Sequence, residues 1–409
     1  MGAAWRAGLA GLALAWLPTA AARAQAPLPD ARQVQQVLAA SPAVAAAAYA
    51  LQAEQAGGRA LRAGPGEWTV SGSGGRRRYV PTQPGGREWD LALERPWRSA
   101  GKAQAATALG DARVAQAALA RDRAWREQAR LLLEGELRWL QAREQARVWR
   151  DQVELLGRQA QAVTRRRQLG DAAEVERLQA QAALAQAEAQ WQLAQGRAQA
   201  ERALLLATFA GLQPGDEALP PPAEPAALAV AVLVQASVEL RAAEREVQVA
   251  AAQARVDDAE RTPAPTLGMR VGGGPSPGER VVALTFSVPL GGTYRQATAQ
   301  ASAARLAAAG ALRDEVARRT AAEAGMRLRE RALALANWQR EADAAAQLAR
   351  SADAVARGYA LGEGSLTDVL VARRAANDQG LAASLAAVAA WAAVWRAELE
   401  AGRLWPAPS

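Results

Sequence analysis

Gln168-Leu169-Gly170-Asp171 recurs as Ala360-Leu361-Gly362-Glu363, at an offset of 192 residues. The same offset pairs Glu176 with Asp368, Leu178 with Leu370 and Ala180 with Ala372. Each quartet ends a long run of helix formers, and glycine is what a tight turn asks for there, because it takes the left-handed conformation that closes a helix. The two quartets read as the tips of two helical hairpins, and the offset as an internal repeat.

Proline bounds these hairpins, since it breaks a helix from within. All 20 prolines avoid two windows, Trp97 to Gln213 and Leu290 to Trp405, of 117 and 116 residues. Both are rich in Ala, Leu, Gln, Arg and Glu, the strong helix formers. A helix from Gly101 to Leu169 would run roughly 100 Å at 1.5 Å per residue, longer than a globular domain is wide. The returning helices carry stripes of small or apolar residues at steps of three and four. One is Val175, Leu178, Ala182, Ala185 and Ala189; the other is Ala372, Ala376, Ala383, Ala386, Ala390 and Ala393. Such stripes are expected to be coiled-coil seams.

Outward from the hairpins lie short strands. Val282, Leu284, Phe286 and Val288 alternate with Ala283, Thr285 and Ser287, and Trp89 to Glu94 alternates likewise, the period of a strand with two different faces. Their partners are Glu67 to Tyr79 and Thr266 to Gly273, joined through loops at Pro81-Thr82-Gln83-Pro84-Gly85-Gly86 and Gly274-Pro275-Ser276-Pro277. Ser41-Pro42 and Ser237-Val238 open a shorter helix ahead of each strand pair. The expected organisation is a signal peptide at 1–24 and two repeats. The first, 25–226, holds a helix, a β-hairpin at about 66–96, a helical hairpin at about 99–212 and a Pro-rich linker at 213–226. The second, 227–409, holds a helix, a β-hairpin at about 265–289, a helical hairpin at about 293–402 and a short tail.

Four strands cannot close a barrel, since the smallest single-chain barrels need about eight. Three copies supply twelve strands, with apolar faces to lipid and Trp68, Trp89 and Trp97 in interfacial belts. The alternative is two small hairpins packed on a helical bundle.

Composition narrows the function. The chain has no Cys and no His, which excludes Cys/His metal sites, His-based catalytic triads and a Cys lipid anchor. The charge of +8 comes from 49 basic and 41 acidic residues interleaved along helices, unlike the basic patch of a nucleic-acid binder. Arg6, the apolar Ala7–Leu17 and Ala22-Arg23-Ala24 form a signal peptide cleaved before Gln25, or two residues later after Ala26. Past it, no run of about 18 uncharged apolar residues is expected to cross a membrane as a helix. Lys102, the one lysine, reads as a charge at the membrane edge. No cluster suggests an enzyme, a cofactor or a resident metal.

Tyr359-Ala360-Leu361-Gly362-Glu363-Gly364-Ser365-Leu366-Thr367-Asp368-Val369-Leu370 and the Ala-rich helix after it resemble the TolC-type outer-membrane efflux family. So do Arg167 to Leu212 and Glu88 to Lys102, the latter repeated at Val288-Pro289-Leu290-Gly291-Gly292. The resemblance covers essentially the whole mature chain. It implies a mainly α fold with a small β part. Duplicated helical hairpins form a periplasmic α-barrel, and four strands per chain join a trimeric twelve-stranded membrane β-barrel. It implies a homotrimer in the outer membrane that works with a periplasmic adaptor protein and an inner-membrane pump of the RND or a similar type. Glu88 to Lys102 is also similar to the CzcC-like branch, which implies heavy-metal cations as cargo. The tips Leu169, Gly170, Asp171, Leu361, Gly362 and Glu363 are then adaptor contacts. Asp368 matches the first of the family's inward carboxylates, with Val371 where a second stands. Glu176 is its repeat equivalent, and Arg373 and Arg374 are within reach to pair with it or a neighbouring helix and hold the entrance shut. The other reading of Asp368 is a solvated first-turn acid that stabilises its helix. The competing reading of the chain is a periplasmic coiled-coil adaptor or interaction protein without a pore.

Overall fold

The computed structural model describes residues 28–79, 83–215, 217–223, 227–274, 276 and 278–408; the expected signal peptide lies outside them. Two short helices, α1 (Ala31–Ala39) and α2 (Pro42–Ala63), meet at 62°. They lead into β1 (Thr69–Tyr79), β2 (Gln83–Pro96), α3 (Ala100–Gln168) and α4 (Glu174–Thr208). After the linker come α5 (Val230–Ala236), α6 (Val238–Ala259), β3 (Thr266–Gly273), β4 (Arg280–Ser287), α7 (Thr293–Ala360) and α8 (Leu366–Glu400). At 69 and 68 residues, α3 and α7 are each about 100 Å long.

Local chemistry sets the starts of these helices. Pro96 ends β2, and the Ser99 hydroxyl accepts from the Lys102 N–H at 3.4 Å to open α3. Ser237 does the same for Leu240 at 3.2 Å in α6. Ser41 stands at the N-cap of α2 with Pro42 behind it, without a side-chain cap bond. The helices α1 and α5 were not expected; at nine and seven residues they are too short to show a period.

The four strands form one antiparallel sheet in the order β1-β2-β3-β4. Part of the loop expected at 81–86 is strand: Gln83 to Gly86 continue β2 opposite β1, with a register irregularity between Arg77 and Tyr79. Gly85 serves close approach there, because a Cβ on it would lie 2.5 Å from the Arg77 carbonyl oxygen. Pro81 and Thr82 lie outside the described residues.

Tryptophans and leucines build the main core: Trp125, Leu132, Leu133, Trp139 and Leu140 of α3 pack with Leu205, Val388, Trp395 and Trp405. The tail returns to this core, and the Trp125 indole donates to the Trp405 carbonyl at 3.0 Å. Glu136 lies on the same face of α3, one turn from Leu132, Leu133 and Leu140. Its side chain is fully buried and neither carboxylate oxygen has a hydrogen-bond partner. Burial pushes its pKa up to about 7, against a smaller downward pull from Arg143.

Three expectations are corrected here. The stripe Val175, Leu178, Ala182, Ala185 and Ala189 is largely exposed in the single chain; the buried seam of α4 is Ala180, Ala187 and Ala194. Alanine is so frequent in α4 that several faces carry seven-residue spacing, and composition alone does not choose among them. Lys102 is buried, and its Nζ meets Glu260 Oε2 at 2.8 Å, with Arg295 on the same carboxylate oxygen at 3.4 Å. It is an internal joint between α3, α6 and α7, because α6 ends against the start of α3. Finally, α8 is long and apolar enough to cross a membrane by length and composition. Here Val388, Ala392, Trp395 and Leu399 of that helix belong to the core.

Candidate functional site

The sheet has two chemically opposed faces. Cross-strand pairing aligns Val70, Leu93, Met269 and Leu284 in one row, and Leu91, Val271 and Val282 in the next. Leu267 stands opposite Phe286 on the same face. This face is open in the single chain, with Leu284 at 89% exposure. The other face is polar and tied together by hydrogen bonds. Asp90 Oδ1 accepts from the Ser73 hydroxyl at 2.6 Å and from Arg270 at 2.7 Å, and Thr285 donates to Glu94 at 3.3 Å. Among the described residues the outer edges of β1 and β4 have no partner strand. Unpaired strand edges of this kind template pairing with another chain.

The predicted aromatic residues fall at two levels of this sheet. Trp68 immediately precedes β1 and Trp97 immediately follows β2, both at the end nearer the long helices. Trp89 pairs with Gly273 at the far end of β3. All three are exposed, and the Arg95 guanidinium stacks 5.3 Å over the Trp68 ring.

About 100 Å away, at the other end of α3 and α7, lie the two hairpin tips, which close identically. The Gly170 N–H donates to the Arg167 carbonyl and the Asp171 N–H to the Arg166 carbonyl, at 3.1 and 2.8 Å. The Gly362 N–H donates to Tyr359 and the Glu363 N–H to Gly358 at the same two distances. Gly170 and Gly362 have φ of 81° and 90°, the left-handed closing geometry of a Schellman cap. Leu169 and Leu361 project into solvent at 83% and 81% exposure, and Asp171 and Glu363 are exposed beside them.

The structure divides the four expected gate residues. Asp368 caps α8: its Oδ2 accepts from the Ser365 N–H at 3.1 Å and hydroxyl at 2.7 Å, while the Asp368 N–H donates to the Ser365 hydroxyl at 3.2 Å. This is a reciprocal capping box. The Ser365 hydroxyl, and then its N–H, hold the Asp368 carboxyl below its ordinary pKa. Arg373 pairs with Asp353 of α7 at 2.6 Å and Arg374 with Asp378 at 3.9 Å, so neither arginine pairs with Asp368. Glu176 accepts from the Ala173 N–H at 3.3 Å and from the Tyr359 hydroxyl at 3.4 Å.

Tyr359 and Arg166 had no predicted role. The Tyr359 ring is buried with Val163, Ala180, Leu366 and Val369 where the hairpins meet. The Arg166 guanidinium lies 5.0 Å over that ring and pairs with Asp171 at 3.3 Å. Burial, then the Glu176 charge, push the Tyr359 hydroxyl pKa up, so it stays a donor at neutral pH. The signal was a single aromatic in an alanine-rich helix end, inside the quoted repeat. Among the described residues no group of three or more His, Cys, Asp or Glu is placed to hold a metal ion.

No protein-family model and no curated protein matches the chain. Solved structures do. The outer membrane protein VceC of Vibrio cholerae aligns at a TM-score of 0.71 and 18% identity, over 92% of this chain and 96% of that one. The CmeC outer membrane channel of Campylobacter jejuni aligns at 0.68 and 14%, over 92% and 86%. The open state of the MtrE outer membrane channel of Neisseria gonorrhoeae aligns at 0.64 and 17%, over 93% and 90%. The chain has the fold of these outer-membrane channels. In this fold the sheet and the hairpin tips occupy opposite ends of the long helices, about 100 Å apart.

Proposed function

We propose that the chain is the outer-membrane subunit of a tripartite efflux system, a passive exit duct with no enzymatic step. The observation that carries this reading is the sheet: one face apolar and exposed, the other polar and hydrogen-bonded, with both edges open. Three such sheets joined edge to edge make a twelve-stranded barrel whose apolar face meets lipid and whose polar face lines a channel. Trp68 and Trp97 form one interfacial belt and Trp89 the other. The likeness to solved outer-membrane channels supports the same arrangement. The protein spans from the outer membrane into the periplasm as a homotrimer built on two repeats, 25–226 and 227–409.

In this reading the tips are the periplasmic entrance. The exposed Leu169 and Leu361, flanked by Asp171 and Glu363, are the contact for a periplasmic adaptor, which links the duct to an inner-membrane pump. Asp368 and Glu176 place carboxylates just behind the tips, and three copies would set a local negative potential favouring cations. Heavy-metal cations are one cargo class compatible with such a field.

Detergent extraction from isolated outer membranes, native mass measurement and planar-bilayer recording test the reading together. A trimer that conducts ions is expected. A monomer or dimer recovered from the periplasm without detergent would overturn it and favour a coiled-coil adaptor.

A further inference from the structure

The three carboxylates of the sheet, Glu88, Asp90 and Glu94, share its polar face, and arginines on that face neutralise the first two. Arg77 pairs with Glu88 at 3.0 Å and Arg270 with Asp90 at 2.7 Å. The apolar face carries arginines of its own and no acid. Arg76 stands directly opposite Arg87 across β1 and β2, and Arg280 pairs in register with Gly273 at the level of Trp89. All three are exposed, and none forms an ion pair with a carboxylate among the described residues. Two like charges directly opposite each other on one sheet face destabilise the pairing. The arrangement therefore asks for an external anion.

The height of the cluster selects that anion. From Trp97 back to Arg87 along β2, at ~3.3 Å per residue and a tilt of roughly 40°, is about 25 Å of height, the span of a barrel's apolar band. Arg76, Arg87 and Arg280 thus rim the far side of the apolar rows, beside Trp89 and away from the helices. The geometry points to a lipid site: Arg76, Arg87 and Arg280 bind the phosphate groups of an anionic glycolipid in the outer leaflet. This rests on the membrane-barrel reading above. Guanidinium forks suit phosphate because they present paired N–H donors to two oxygens at once. The lipid's acyl chains would lie against Leu91, Val282 and Leu284, directly below.

The test reconstitutes the full chain into phosphatidylcholine vesicles containing either bisphosphorylated lipid A or the same lipid dephosphorylated, and counts retained glycolipid per protomer by native mass spectrometry. A basic residue near an anionic surface is worth about fivefold in affinity, so three give a preference on the order of 100-fold for the phosphorylated lipid. The combined Arg76→Gln, Arg87→Gln, Arg280→Gln protein should lose most of that preference, and Arg87→Gln alone about fivefold. Equal retention of the two lipids by wild type would overturn the proposal. So would complete displacement by millimolar inorganic phosphate, which would mark a free-anion site. Insertion and conductance in phosphatidylcholine alone separate the two readings. Wild type that inserts and conducts without lipid discrimination defeats only the lipid site. Wild type that fails to insert defeats the channel and the lipid site together. The two-lipid comparison uses wild type, so it decides the matter even if the triple variant misfolds.

Discussion

Replacing Glu136 with leucine should stabilise the protein, and by more at pH 8 than at pH 4.5. The Glu136 carboxyl is fully buried and unpartnered, and its folded pKa is raised to about 7 from 4.5. Below 4.5 both folded and unfolded chains hold the proton, and no ionisation penalty applies. As pH rises from 4.5 toward 7 the unfolded chain ionises first, so stability falls; above 7 the loss is complete. At ~1.4 kcal/mol per pKa unit, the full penalty of raising the pKa from 4.5 to about 7 is about 3.5 kcal/mol. Unfolding entropy of ~2.1 cal/mol/K per residue over a chain of 409 residues makes this about 4 °C in melting temperature. The window is clean because the chain has no histidine. Glu400, whose pKa is also raised chiefly by burial, is common to both proteins and cancels in the difference. The assay is thermal unfolding of the detergent-held protein at fixed concentration and scan rate, at pH 4.5, 6, 7 and 8, for wild type, Glu136→Leu and Glu136→Gln. The gap between wild type and Glu136→Gln should open by about 4 °C between pH 4.5 and 8. A gap that stays constant within 1 °C, or reverses, would refute the reasoning.

Valine at Gly170 or Gly362 forces a β-branched residue to a left-handed φ; each should cost about 1–2 kcal/mol, read as faster hydrogen exchange confined to that tip. Ser365→Ala removes one arm of the α8 cap and should lower stability by about 1 kcal/mol, seen as a lower melting temperature. Asp368→Asn keeps the cap's shape and loses its charge; a changed cation-to-anion permeability in bilayers would show that the ring also filters ions, and unchanged permeability would leave Asp368 as a cap. Tyr359→Phe deletes one hydrogen bond to Glu176 and should cost about 1 kcal/mol or less, whereas Tyr359→Ala, which empties a buried site, should cost about 3–5; equal melting temperatures would contradict the buried placement. Glu260→Ala strands the buried Lys102 ammonium and should destabilise more than Lys102→Met, which leaves Glu260 with Arg295; the reverse order in thermal melts would count against the joint.

Proline and glycine made the long elements legible. Gly101 to Leu169 was read from sequence and Ala100 to Gln168 is observed, because a helix interior excludes proline while its ends demand caps. Alternation located two of the four strands and the Gly/Pro-rich loops beside them placed their partners, though β2 extends through Gln83 to Gly86, where glycine marks a close approach and not a loop. Side-chain partners were not legible. Tyr359 meets Glu176 and Arg166 across 183 residues or more of chain, a contact that only the joining of two hairpins creates. Lys102 offered charge but no sign of its burial, since Glu260 reaches it from another helix. Asp368 kept both its readings in sequence, and the Ser365 contacts show its capping role. Glu136 did leave a trace: it stands at helical spacing from Leu132, Leu133 and Leu140, inside an apolar stripe where a carboxylate has no reason to be solvated.

The unequal strand lengths shape the far end of the sheet. β2 pairs with β3 only from Trp89 to Pro96, while β1 and β2 stay paired out to Tyr79 and Gln83. The first hairpin therefore stands above the second by about six residues, roughly 20 Å along the strand. A threefold assembly would carry a notched crown, three tall ribbons alternating with three low ones. In that assembly the raised ends of β1 and β2 would be the first part of the molecule met by an antibody or phage arriving from outside. They are also where a peptide tag could be displayed without touching the wall of the duct below.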